Sequence, residues 1–223
     1  MLIKKILIAT HNQAKLKELK FGLQSLEKIG IKIVSLNDLK IHAQPIENGE
    51  TFQENAEIKA RFYGDLTKYP TIADDGGLVI PHLNNEPGVK SRRWLGREST
   101  DEELIQHTLV HLRGVNHADR IAYLETCICF YLPATHPQGG QAQQAHPAGG
   151  IGIVICESEK IRGHIAEKPS PRRIEGYPYR ALFIVDKFNK YYDELTDEEH
   201  QQINHRLKAL KRLIRKIKPY IIK

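Results

Sequence analysis

The chain changes hydrophobic period twice within its first 35 residues, and this narrows the choice of architecture more than any other feature of its 223 residues. Residues 3–9, IKKILIA, are apolar enough for a buried β-strand. From Asn12 onward Leu16, Leu19, Leu23 and Leu26 recur at spacings of three and four, one stripe of a helix, and Gly30 ends it. Residues 31–35, IKIVS, read as a second strand. Strand, helix and strand in succession belong to the α/β class, as one domain or two small lobes sharing a core.

The rest of the chain continues the alternation. Residues 41–50 form a polar loop with Pro45 and Gly49. Thr51 then opens a helix with Glu54 three residues on, the spacing of a capping box. Tyr69-Pro70 breaks that helix, and TIADDGGLVI reads as a strand running into a turn. Residues 81–100 are loop-like, and a helix over 101–113 follows Thr100, with Glu103 again three on. AYLETCICFYL and GIGIVICES are strands. Between them residues 134–149, rich in Gln, Gly, Pro and Ala, read as a mobile hairpin insert, not a linker between domains. Residues 163–180 are irregular, ALFIVDKF is the last strand, and a helix runs from the N-cap Thr196 to about residue 217. With no internal repeat, residues 1–223 are expected to form a single domain.

A chain of this length can bury a core without staples. No run of about 18 apolar residues is present, so no membrane span is expected. The start turns polar too soon for a signal peptide. Three cysteines, an odd number without framework spacing, point to reduced thiols in a cytoplasmic setting. Cys127 and Cys129 share one face of a strand and read as strand residues. The net charge of +6 gathers in the C-terminal KALKRLIRKIKPYIIK. A single aromatic residue, Tyr220, falls among these bases, short of what a stacking platform needs, so a solvated helix face is expected and nucleic acid is not the expected partner.

Four constellations carry chemistry. Thr10-His11-Asn12-Gln13-Ala14-Lys15 places a polar turn between a strand and a helix start, where free N–H groups, the helix dipole and Lys15 favour phosphate; a plain N-capped helix would look the same. Asp74-Asp75-Gly76-Gly77 puts two carboxylates at a strand end. Neighbouring side chains there point to opposite faces, so one acid can bind Mg²⁺ while the other positions; a simple Asp-Gly turn is the plainer reading. The acids of residues 47–54, with Lys59, would complete a metal–triphosphate site, or simply form a solvated helix start. His205-Arg206, inside the C-terminal helix, could read a keto oxygen and a ring nitrogen of a purine, although such a pair often faces solvent. Tyr177 and Tyr179 could stack on a base.

Together these segments resemble the inosine triphosphate pyrophosphatase family, the XTP/dITP diphosphatases. ATHNQAKLKEL is similar to the family's AT-x-N-x-x-K start, and ENGETFQENAEIKA to its E-x-G-x-T-F-x-E-N-A-x-x-K-A segment. IADDGGLVI resembles A-D-D-S-G-L, EPGVKSRR resembles P-G-x-x-S-A-R, and ELTDEEHQQINHRLKAL resembles E-L-T-x-E-E-K-x-x-I-S-H-R-x-x-A-L. The five matches fall in order over nearly the whole chain.

The resemblance implies a mixed central sheet flanked by helices, with two lobes around a nucleotide-binding cleft, and a homodimer. It implies Mg²⁺-dependent hydrolysis of ITP, dITP and XTP between the α and β phosphates. Thr10, Asn12 and Lys15 then hold phosphate, with Lys59. Glu47 and Asp75 bind metal, with Asp74 beside them, and Asp75 also activates water. His205 and Arg206 read the base, in a site that also takes in Gly76, Tyr177, Tyr179 and His200. Gly76 replaces the family serine, His200 a lysine and Asn204 a serine. Pro178 replaces a glycine, and Arg180 replaces an acid, a charge reversal beside the nucleotide. These departures leave open a relative with the same hydrolysis on a different base, or a nucleotide-binding protein without hydrolysis.

Overall fold

The computed structural model describes residues 3–134 and 152–221; most of the expected insert at 134–149 lies outside the described residues. The first strand, β1 (Lys5–Ile8), leads through Asn12 into α1 (Gln13–Glu27) and β2 (Lys32–Ser35). The Leu16, Leu19, Leu23 and Leu26 stripe is the buried face of α1. Then come α2 (Phe52–Thr67), β3 (Thr71–Ile80), the two-residue β4 (Glu86–Pro87), α3 (Asp101–His111), β5 (Ile121–Leu132) and β6 (Ile153–Ile165). The chain closes with β7 (Phe183–Val185), β8 (Lys190–Tyr191), α4 (Asp197–Ile203) and α5 (His205–Ile221). Thr51, Thr100 and Thr196 each form a complete capping box.

The strands form one sheet in the order β2-β1-β3-β5-β6-β7-β8, with β4 on β3. β1 pairs in parallel with β2 and β3, and every other pairing is antiparallel, so the sheet is mixed. Around β1, alternation sorts side chains between two of the three apolar clusters that flank the sheet. Ile6, Ile8 and Ile72 pack with α1 and α5, while Leu7, Ala9 and Ala73 pack with α2.

Several expectations need correction. The Asp74-Asp75-Gly76-Gly77 segment is not a strand end. It runs through the middle of β3, opposite Ile128, Cys127, Thr126 and Glu125 of β5. A Cβ on Gly76 would collide with the Glu125 carbonyl, and one on Gly77 with the Ser91 side chain, so packing against neighbours, not a turn, explains both glycines. Residues 163–165 belong to β6, and β8 follows the strand expected to be last. The C-terminal helix is two helices, broken at Asn204, so His205-Arg206 opens α5 and is not in a helix interior.

The thiols are not all reduced: Cys129 and Cys156, directly opposite in the β5–β6 register, form a disulfide, leaving Cys127 free and buried. The Cys127 and Cys129 sulfurs lie 4.0 Å apart, as their shared strand face requires. The basic face of α5 is partly neutralised, Arg212 and Lys216 pairing with Glu157 and Glu159 of β6. No helix among the described residues is long and apolar enough to cross a membrane.

Candidate active site

The two central acids of β3 inherit the sheet's alternation. Asp74 follows Ala73 and faces α1 and α5; Asp75 follows with the opposite face, toward α2. A cleft of about 900 Å³ reaches both, lined among others by Thr10, Lys15, Glu47, Lys59, Tyr177 and Arg206.

On the α2 side, Lys59 Nζ lies 2.9 Å from Asp75 Oδ1 and 3.0 Å from Glu47 Oε2. Burial opposes the charge on Lys59, but Asp75 and Glu47 overcome it and raise the ammonium to about 12. Glu47 lies in a loop tied to α2 by buried Asn55, whose Oδ1 accepts the Gly49 N–H at 2.8 Å. Glu54 does not join this group; its carboxylate accepts the N–H of Glu50 and Thr51 as a cap. Two carboxylate oxygens converging on one cation form a donor set that suits a hard divalent ion such as Mg²⁺.

On the other side, Asp74 is buried and its Oδ2 receives Lys15 Nζ at 3.0 Å and Arg206 Nε at 3.1 Å. Burial alone would raise this carboxyl; the two cations reverse that and hold it at about 2. Asn12 serves mainly as the N-cap of α1, its Oδ1 accepting the N–H of Ala14 at 2.9 Å and Lys15 at 3.1 Å, while its amide donates to the Gly176 carbonyl at 3.3 Å. Thr10 Oγ1 accepts the Asn12 N–H at 3.2 Å.

Glu18, one turn beyond Lys15 on α1, organises the far end and was not singled out in the sequence. It accepts Arg206 Nη1 at 2.6 Å and the Tyr177 hydroxyl at 2.9 Å, and it also receives Arg180 and the Asn204 amide. Burial works against its charge, but Arg206 and Arg180 hold its carboxyl well below the ordinary range. The charge reversal at Arg180 is thereby paired. Its guanidinium carbon lies 3.5 Å from the Tyr177 ring centroid and 4.6 Å from that of Tyr192, clasped between two aromatic faces.

Asn204 also caps α5, its Oδ1 accepting the Leu207 N–H at 2.9 Å. His205 is buried with no partner at Nδ1, and burial drives its pKa well down, so it stands as a neutral imidazole. Among the candidates, Gly76, Tyr177, Tyr179, His205 and Arg206 line the cleft; His200 is not among its lining residues and packs edge-on against Tyr192, with ring centroids 5.1 Å apart. Tyr179 is buried and donates its hydroxyl to the Ser91 carbonyl at 2.5 Å.

A mixed α/β sheet in which β3 presents a carboxylate–lysine pair on one face and a carboxylate held by lysine and arginine on the other defines the class, an α/β protein with a charged cleft straddling one strand of its sheet. Within that class, residues 6–216 match the model of the Ham1 family, and the chain belongs to this family. It is similar to the dITP/XTP pyrophosphatase of Thermoanaerobacter sp. (strain X514), 37% identical over 98% of this chain and 97% of the relative. It is also similar to the dITP/XTP pyrophosphatase of Bacillus subtilis (strain 168), 33% identical over 96% of each chain. The solved structure of a HAM1 protein from Coxiella burnetii matches 98% of this chain and 100% of its own, at 31% identity and a TM-score of 0.75.

Proposed function

We propose that this protein is a nucleoside triphosphate pyrophosphohydrolase that converts ITP, dITP and XTP to the monophosphate and diphosphate, with Mg²⁺ as its metal. The observation that carries this reading is the division of Asp74 and Asp75 between opposite faces of β3, each held by its own lysine. The relatives' names support the substrate class.

Lys15 and the first turn of α1 receive the phosphate chain, and the Thr10 hydroxyl donates to it. Glu47 and Asp75 would hold the Mg²⁺, which would supply charge neutralisation on the phosphate oxygens when bound. Asp75 orients the attacking water and accepts its proton as the new bond to phosphorus forms and the diphosphate leaves. Lys59 stabilises the charge that develops on the transferred group. Asp74 keeps Lys15 and Arg206 in place. At the far end Arg206 and the neutral His205 donate to a 6-keto purine, and Tyr177 lies against the base. A homodimer in the cytoplasm goes with this reading, on the motif resemblance alone.

Kinetics with ITP, XTP, GTP and ATP, each with and without Mg²⁺, test it. Hydrolysis should require the metal and favour 6-keto purines, because an adenine amino group would leave the site's donors unpaired. A kcat/KM for ATP at or above that for ITP would remove His205 and Arg206 from base reading, and metal-independent turnover would remove the metal.

A further inference from the structure

The sulfur cluster on the α2 face of the sheet has no part in the proposed hydrolysis. The sulfurs of Cys127, Cys129 and Cys156 all lie within 4.8 Å of one another, and those of Cys127 and Cys129 are 4.0 Å apart. Sulfurs sharing one tetrahedral zinc ion at about 2.3 Å each are separated by roughly 3.8 Å, so the Cys127–Cys129 pair already has that spacing, while Cys129 and Cys156 are bonded and would move apart to it on reduction. Cys127 and Cys129 are buried beside Ala56, Ala60 and Phe52, an apolar surround that excludes competing water, while Cys156 is partly exposed and offers a way in. We propose that, once the Cys129–Cys156 disulfide is reduced, the three cysteines bind one thiophilic cation of the Zn²⁺, Cd²⁺ or Cu⁺ type.

Reduction by an external dithiol or phosphine supplies two electrons and two protons and gives two thiols. Coordination then replaces the three thiol protons with the cation and releases them to solvent. Sulfur donors select a soft ion, whereas the oxygens of Glu47 and Asp75 select a hard one, so the two sites take different metals although Asp75 sits opposite Cys127 in the β3–β5 register. The disulfide and the metal site are alternative states of the same sulfurs.

Cadmium titration of the phosphine-reduced protein, followed by the ultraviolet thiolate-to-cadmium band, tests this without reference to catalysis. The reduced chain should take up one Cd²⁺ with that band and the oxidised chain should show none. C127S, which leaves the disulfide pair intact, should weaken uptake by at least about tenfold, and C156S should do the same. A reduced wild-type protein with no band at saturating Cd²⁺, or C127S and C156S both binding like wild type, would overturn the proposal.

Discussion

Lys59 Nζ lies 2.9 Å from Asp75 Oδ1, and the same nitrogen draws in Glu47 from a different element at 3.0 Å. The ammonium is the shared counter-ion of both carboxylates. Lys59→Met should leave two facing carboxylates without a partner, so Mn²⁺ binding, read by electron paramagnetic resonance, should tighten. ITP turnover should fall about 10²-fold through the loss of a transition-state cation. Unchanged turnover with unchanged Mn²⁺ affinity would show that Lys59 acts in neither role.

Asp74 ties acid stability to the site. Its carboxyl is held at about 2, below the ordinary 3.8, because Lys15 and Arg206 outweigh its burial. A depressed carboxyl stabilises the fold at pH values above the unfolded pKa and loses that contribution as pH falls through the folded one. Thermal midpoints of wild type should therefore drop between about pH 4 and pH 2, with about 2 kcal/mol at stake. Asp74→Asn should be less stable at neutral pH, with Lys15 losing its ion pair and Arg206 keeping only Glu18, and should lose that acid-side slope. Parallel pH profiles for the two proteins would rule out Asp74 as its source.

Local signals were legible in the sequence. The three Thr/Glu capping boxes and the leucine stripe of α1 involve residues three or four apart, and the structure reproduces them. The opposite facing of Asp74 and Asp75 follows from strand geometry alone. What stayed hidden was set by distant partners. Asp-Gly-Gly chemistry favours a turn, yet pairing with β5 carries β3 straight through it. Glu18 belongs to no motif; its only signal is its place three residues after Lys15, on the same side of α1. The burial of Arg180 was invisible because its partners Glu18 and Tyr192 come from other elements.

Cysteine count alone could not reveal that Cys129 and Cys156 face each other, because register between β5 and β6 is a tertiary property. The disulfide spans 27 residues of sequence, so its reduction should cost about 2–4 kcal/mol and lower the thermal midpoint. Thiol titration of the denatured, unreduced protein should find only Cys127, and all three cysteines should react after reduction. Three reactive thiols without reductant would show that the bridge is absent.

Identifying the products of ITP hydrolysis tests the proposed chemistry most directly. With Mg²⁺ and no second phosphatase present, ITP should yield IMP and diphosphate in equal amounts, and Asp75→Asn should lower the rate by about 10²-fold or more while remaining folded by circular dichroism. IDP with orthophosphate as the first products, or an Asp75→Asn variant turning over ITP at near the wild-type rate, would contradict the assignment of this cleft as a pyrophosphohydrolase site centred on Asp75.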